Sequence, residues 1–342
     1  MALLIQEHIT LKPYTTLQTG GVARYLLTVT TLQELEEAAR FIAEKNLPYL
    51  VIGGGSNILV GDSGFAGVVI LNKLQGIEYL EETADTVTLA ASAGEVFDEV
   101  VEETVEKGYW GLENLSHIPG TMGATPVQNV GAYGVEMSQL IVGVDVFDMK
   151  EQTHKYFSVE ECAFAYRESF FKTDKGKKYF ITVVYVRLQK NPTPKMAYAD
   201  LQKKFLGATP TQKEIREAVI EIRSEKFPDW KVVGTAGSFF KNPVIDEYHA
   251  ETLKKQFPDI PMYEAGVGMF KIPLGYVLDK VCRLKGIRYG QVGLYENQAL
   301  VLINYGDATS DEIKKFAQTV IDVVMRKTKI VITPEVQYIE EK

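Results

Sequence analysis

"LPYLVIGGGSNILVGD", Leu47 to Asp62, is the stretch on which the fold turns. An apolar run leads into Gly53, Gly54 and Gly55, and Ser56 and Asn57 follow. A dinucleotide fingerprint needs a helix at this point, so that a pyrophosphate meets its N-terminus. Ile58, Leu59 and Val60 come next, closed by Gly61 and Asp62, and they read as a strand. A Rossmann site is therefore rejected. Glycines let main-chain N–H groups approach an anion closely, so the loop reads either as a phosphate cradle or as an ordinary tight turn.

"NLSHIPGTMGATPVQNVGAYGV", Asn114 to Val135, adds a second signal. Its 22 residues include four glycines and two prolines but no Asp, Glu, Lys or Arg. A long loop on a surface is usually charged. This composition points to main chain packed against something bulky and polar, such as a cofactor, or to a buried structural loop.

Around these loops, short strands alternate with amphipathic helices. "TLQELEEAARFIAEKN" opens on a capping box, Thr31 to Glu34, with Leu32, Leu35, Ala39 and Ile42 on one face. "EVFDEVVEETVEKG" is a helix ending at Gly108. Strands are expected in "LIVGVDVFDM" and "KYFITVVYVRL". "KNPTPK", polar and proline-rich up to Lys195, marks a boundary. Beyond it come a helix with a capping box from Thr211 to Glu214, a helix near "PLGYVLDKVCRLKG" and a strand "QALVLIN". A helix "SDEIKKFAQTVIDVVMRK" and a final strand "IVITPEVQYI" complete the chain. This is an α+β pattern in two domains. Residues 1–190 form the first, 191–212 a linker, and 213–342 a smaller C-terminal domain.

Net charge of −8 over 342 residues argues against a nucleic-acid surface. Cys162 and Cys282 read as buried thiols. His8, His117, His154 and His249 lack metal-ligand spacing, so no metal is expected. The opening "MALLIQEHITLKPY" shows no leader pattern and no segment is apolar for long enough to span a bilayer, so a cytoplasmic location is expected.

The ordered set "GGGSN", "IPGTMGATPVQNVGAYGVE", "YRESFFK", "AGSFFKNP", "QALVLIN" and "PEVQYI" resembles the UDP-N-acetylenolpyruvoylglucosamine reductase (MurB) family, from about Tyr14 to Ile339. The resemblance implies an FAD-binding domain of the vanillyl-alcohol-oxidase (PCMH) type, followed by a substrate-binding domain. It implies NADPH-dependent, FAD-mediated reduction of UDP-N-acetylglucosamine enolpyruvate to UDP-N-acetylmuramate, in peptidoglycan precursor synthesis and hence in cell shape and division. Flavin contacts are implied at Gly53, Gly54, Gly55, Ser56 and Asn57. Further contacts are implied at Pro119, Gly120, Thr121, Gly123, Ala124, Gln128, Asn129, Gly131 and Ala132.

Hydride addition to the enol ether builds negative charge on the substrate carboxylate, and the adjacent carbon must then be protonated. Donors must wait where that charge develops. The resemblance makes Ser238 the proton donor; a serine suffices because the acceptor is strongly basic. On nine residues alone Ser238 reads as readily as a turn serine bonded to its own backbone. Arg167 resembles the family's carboxylate-side arginine, a planar fork suited to that task, with a surface pair to Glu168 as the alternative. Glu335 resembles the family's catalytic glutamate, which beside a carboxylate would act in its acid form; the alternative is an exposed glutamate after Pro334. Lys226, Asn242 and Gln298 match diphosphate-side residues. "YADL" from Tyr198 matches the substrate-clamping tyrosine loop of one subclass, a segment suited to a lid. Trp230 and Thr235 depart from the residues expected before Ser238. Two rivals remain at this point: an FAD-dependent alcohol or sugar oxidase of the same fold, and a non-catalytic flavin- or nucleotide-sugar-binding module.

Overall fold

A computed structural model of the chain describes residues 3–340. Its contacts define two compact units, each discontinuous in sequence. The first runs through Ile9, then Ala23–Gly54 and Ala66–Arg223; the second takes Thr10–Val22, Gly55–Phe65 and the chain from Ser224 onward. These bounds differ from contiguous blocks of 1–190, 191–212 and 213–342. The cause is long-range pairing. Ile58–Val60 runs parallel to Gln337–Ile339, and Thr16 and Thr235 exchange hydrogen bonds, so both early segments join the C-terminal part.

In the first unit, α1 (Leu32–Lys45) starts on the capping box in which Thr31 and Glu34 satisfy each other's main-chain N–H groups. Leu35, Ala38, Ala39 and Ile42 are buried. Leu32, expected on the same face, is 47% exposed, because it sits in the first turn ahead of the packed stripe. The helix packs on a sheet ordered Leu4–Thr10, Val22–Val29, Phe65–Asn72, Tyr49–Ile52, whose last two strands are parallel.

A second, antiparallel sheet follows the order Thr153–Ser158, Ile141–Asp148, Tyr179–Gln189, Thr86–Ser92, Ile77–Glu82. Against it lies α2 (Phe97–Glu106), which buries Phe97, Val100 and Val101 with Leu89, Val184 and Val186. It ends where Gly108 takes φ +74°, the left-handed conformation that a helix stop requires. Met122, Val130 and Val135 of the neutral segment enter this same core, which explains its lack of charge. The short α3 (Ala199–Phe205), unread in the sequence, and α4 (Gln212–Lys226) pack Leu201, Ile215 and Val219 against Trp110 and Tyr133. Thr211 and Glu214 form the expected box at the start of α4.

The second unit is built on an antiparallel sheet, Gly234–Ser238, Val301–Asn304, Val292–Leu294, Arg288–Tyr289, with a smaller one of Val244–Asp246, Met269–Lys271 and Tyr263–Glu264. Its helices are α5 (Glu247–Gln256), α6 (Leu274–Tyr276), which runs on into a π-helical turn at Val277–Val281, and α7 (Ser310–Thr328). One core gathers Phe239, Phe240, Leu278, Ile313 and Val320. The helix expected near Pro273 forms over Leu274–Val281, first α-helical and then π-helical. One reading needs correction: the final strand is only Gln337–Ile339, for Ile330 and Ile332 are buried as irregular chain and Pro334 joins only an isolated antiparallel bridge to Phe240. Cys162 and Cys282 are free, buried thiols. Among the described residues no helix is long and apolar enough to cross a membrane.

Candidate active site

The two glycine-rich segments meet within the first unit. A Cβ on Gly54 would lie 2.8 Å from the Cα of Gly120, and one on Gly53 would lie 2.2 Å from the Thr121 Oγ1. Such an approach is closed to residues with a side chain. The Gly120 carbonyl accepts from Phe97 N–H (3.1 Å), and Met122 and Gly123 donate to Glu95 and Ala93 (2.9 and 2.8 Å). The second loop is thereby pinned to the start of α2. Strand, loop and strand in Tyr49–Ile52 and Ile58–Val60 match the sequence reading. The pair brings two stretches of glycine main chain together without a Rossmann helix, the kind of close main-chain approach that an anion-binding cradle uses.

Arg167 sits in a tight turn in which Ala165 and Glu168 exchange both main-chain hydrogen bonds (3.0 and 3.1 Å). Its φ of +58° is left-handed, a conformation that costs a non-glycine residue roughly 1 kcal/mol. The guanidinium donates to the carbonyls of Gly131 (2.6 Å) and Asn129 (3.3 Å), and Glu136 lies 4.0 Å away. Asn129 is buried. Its amide donates to Glu136 and to the Ala165 carbonyl (3.1 Å each), and its Oδ1 accepts from Ser138. The residue thus braces the arginine turn against the neutral segment. Glu168 pairs with Lys172 at 3.3 Å.

In the second unit, the strand carrying Ser238 changes register between Thr235 and Ser238. Gly237 takes φ +71° there, and its N–H donates to Thr235 Oγ1 (3.2 Å), which itself donates to Leu302 O (2.9 Å). This bulge re-aims the following side chain. It also accounts for Thr235, the unexpected residue, which is buried. Trp230 is 39% exposed and its carbonyl accepts from Gln18. Among the described residues the half-buried Ser238 hydroxyl takes no hydrogen-bond partner, so the self-bonded turn serine is not what forms. Glu335 N–H donates to Phe239 O (2.8 Å), next to Ser238, and Asn57 Nδ2 reaches the Glu335 carbonyl. The structure therefore gathers Ser238, Glu335 and Asn57.

Two family models match this chain: an FAD binding domain over residues 23–156, and the C-terminal domain of UDP-N-acetylenolpyruvoylglucosamine reductase over residues 228–339. The chain is 38% identical over 338 residues to the UDP-N-acetylenolpyruvoylglucosamine reductase of Pseudomonas aeruginosa, covering 98% of this chain and 99% of that one. The chain belongs to the UDP-N-acetylenolpyruvoylglucosamine reductase family. The enzyme of that name from Porphyromonas gingivalis is 42% identical over 290 residues, 84% of this chain and 85% of the relative. A crystal structure of the MurB reductase from Thermus caldophilus shares the fold, with a TM-score of 0.70 over 99% of this chain and all of that one at 24% identity.

The other residues matched to the reductase family fall in two places. Asn242 Oδ1 accepts from Leu274 N–H (2.9 Å), and Gln298 Oε1 lies 2.9 Å from where a Gly275 Cβ would stand. Both amides thus border the first turn of α6. Lys226 is the half-buried last residue of α4, and Ser56 is half-buried after Gly55. In the first unit, Tyr198 precedes α3, 41% exposed, with its ring 4.9 Å from that of Tyr133 at an interplanar angle of 72°. Pro119, Ala124, Gln128, Gly131 and Ala132 line the partly exposed side of the neutral segment. Tyr133 and the buried Glu113 were not singled out in the sequence, where a lone Tyr and a Glu in "GLEN" carry no pattern.

Proposed function

We propose that this chain catalyses the NADPH-dependent, FAD-mediated reduction of the enolpyruvyl ether of UDP-N-acetylglucosamine to UDP-N-acetylmuramate, a CH–CH oxidoreduction supplying peptidoglycan synthesis in the cytoplasm. The observation that carries this reading is the bulge at Gly237: in a chain that matches the reductase family over 98% of its residues, it presents Ser238 beside the main chain of Glu335.

The glycine cradle fits FAD: Gly53, Gly54, Gly120 and Thr121 approach closely enough to wrap a diphosphate, with Gly55, Ser56 and Asn57 continuing the first loop and Gly123 to Ala132 the second. When bound there, FAD would supply the hydride chemistry, taking hydride from NADPH and passing it to the terminal carbon of the enolpyruvyl group. Everything else falls to the protein. Arg167, fixed by the carbonyls of Gly131 and Asn129, presents a charge that needs no reorganisation as the substrate carboxylate gains electron density. Glu335 in its acid form, which a neighbouring carboxylate favours, gives a hydrogen bond to the same group. Ser238 delivers the proton to the adjacent carbon, where position outweighs acidity. Lys226, Asn242 and Gln298 hold the diphosphate, and Tyr198 covers the nucleotide end.

The absorption spectrum of the purified protein tests this. A yellow flavin band, bleached by NADPH and restored by UDP-N-acetylglucosamine enolpyruvate, is expected. A protein that ignores NADPH and consumes oxygen with a sugar alcohol would sink the proposal.

A further inference from the structure

The first unit contains a knot of buried polar side chains that the reaction does not use. Glu113 and Asn114 are fully buried and Gln212 is 5% exposed. Glu113 Oε2 accepts from Gly111 N–H (2.7 Å) and from Gln212 Nε2 (3.2 Å), and the same Gln212 amide donates to Tyr109 O (2.6 Å). Asn114 Nδ2 donates to the carbonyls of Tyr133 (2.9 Å) and Lys195 (2.8 Å). Lys195 begins the segment that carries Tyr198 and α3, and Gln212 ends it. Tyr133 is also the ring against which Tyr198 rests.

We infer that Glu113, Asn114 and Gln212 are positioning residues that clamp both ends of residues 195–212 and so hold Tyr198 in register for substrate; the last clause rests on the function proposed above. Between its ends the segment is anchored by the fully buried Leu201, which shares a cluster with Trp110, Tyr133 and Ile215, by the partly buried Met196 and Phe205 packed on that cluster, and by the buried Pro210. With ends fixed and middle docked, the exposed Tyr198 has a defined place at little ordering cost on binding.

The knot has a proton inventory as well. Among the described residues, Glu113 Oε1, Asn114 Oδ1 and Gln212 Oε1 are buried acceptors with no donor. A bare carboxylate oxygen there is expensive. Burial, opposed by the hydrogen bonds from Gly111 and Gln212 and by the Lys195 charge, raises the Glu113 carboxyl above its ordinary range. A protonated Oε1 would turn one of these three acceptors into a donor, so the acid form lowers the cost of burying Glu113 within the clamp.

The test compares wild type with Glu113→Ala, Glu113→Gln and Gln212→Ala, by hydrogen exchange of the purified protein and by steady-state kinetics. Glu113→Ala should speed exchange of amides 196–211 by roughly tenfold, and raise KM for the UDP substrate by a similar factor. Bound flavin and the rate of its bleaching by NADPH should not change. Glu113→Gln, neutral and hydrogen-bonding, should restore both. Gln212→Ala, which cuts one end only, should speed exchange near 207–214 and leaves the test open if Glu113→Ala does not fold. Unchanged exchange over 196–211 in Glu113→Ala, or in Gln212→Ala if only that folds, would overturn the clamp, as would a rise spread evenly over the unit or a Gln variant as loose as Ala. A wild-type protein that does not turn over the UDP substrate would instead overturn the functional reading, with exchange still deciding the clamp.

Discussion

Asn57 and Glu335, 278 positions apart, meet at the start of one short parallel ladder: the Asn57 amide donates to the Glu335 carbonyl at 3.4 Å, and the N–H of Gln337, two residues on, returns to the Asn57 carbonyl at 3.0 Å. The first glycine loop thus holds the main chain of the proposed acid in place. This assigns Asn57 a structural duty beside the flavin contact expected of it. Asn57→Ala should therefore lower turnover by several-fold to roughly tenfold, about the worth of one half-buried hydrogen bond, with a smaller loss of bound flavin. Flavin absorbance per chain and kcat, measured together, check it; loss of flavin with unchanged kcat per flavin would confine Asn57 to the cofactor.

Ser238→Ala should bind FAD and accept hydride from NADPH at near the normal rate, since neither step uses the hydroxyl. Reoxidation by the enolpyruvyl substrate should slow by about a hundredfold to ten-thousandfold, the range of a positioned general acid. Ser238→Cys should recover part of that loss. Rapid-mixing absorbance separates the half-reactions, and a defect in flavin reduction alone would remove Ser238 from proton delivery.

Arg167→Lys keeps the charge but loses the fork that reaches both Gly131 and Asn129. Turnover should fall by roughly tenfold to a hundredfold and KM by less, as for a charge-assisted bond felt mainly in the transition state. Wild-type kcat in this variant would release Arg167 from the mechanism.

Gly54→Ala brings a methyl group to 2.8 Å from the Cα of Gly120, where only backbone can yield. The two loops must part, and flavin content per chain should drop several-fold while the far-ultraviolet circular dichroism stays native. Full flavin occupancy in the variant would show that the cradle tolerates the shift.

Asp148 makes stability depend on acid. Its carboxylate is fully buried; burial alone would raise its pKa, but Lys155 (2.8 Å), Lys178 (2.7 Å) and the N–H groups of Lys150 and Glu151 (3.1 Å each) hold it far below the usual carboxylate range. A depressed folded value means stability present above the unfolded pKa of about 4 and lost as pH falls below it. Asp148→Asn should cost about 1–3 kcal/mol at neutral pH, with the gap from wild type narrowing below about pH 4. Thermal melts from about pH 2.5, below the ordinary carboxyl pKa, to about pH 8, well above it, test this, and a gap that stays constant would deny Asp148 the role.

Local chemistry was legible in the sequence wherever a few neighbouring residues suffice. The capping boxes at Thr31, Thr211 and Thr309 form, because each is completed within four residues; only the first two were read as such. The refusal of "IGGGSNILV" to become a helix follows from a short apolar, partly β-branched run, Ile58 to Val60, that begins two residues after the glycines and is closed at once by Gly61. Resemblance over the whole chain supplied the family. Tertiary structure decided the rest. Ile330 and Ile332 read as strand but are buried without one, since burial can be met by irregular chain. Ser238 owes its aim to a bulge whose partner strand lies more than sixty residues later. Glu113 looks like any surface glutamate in "GLEN", and only the approach of Gln212, 99 positions on, makes it a buried acid. A pattern of neighbours encodes which backbone shapes are cheap; which distant groups then desolvate one another is settled only when the chain closes on itself.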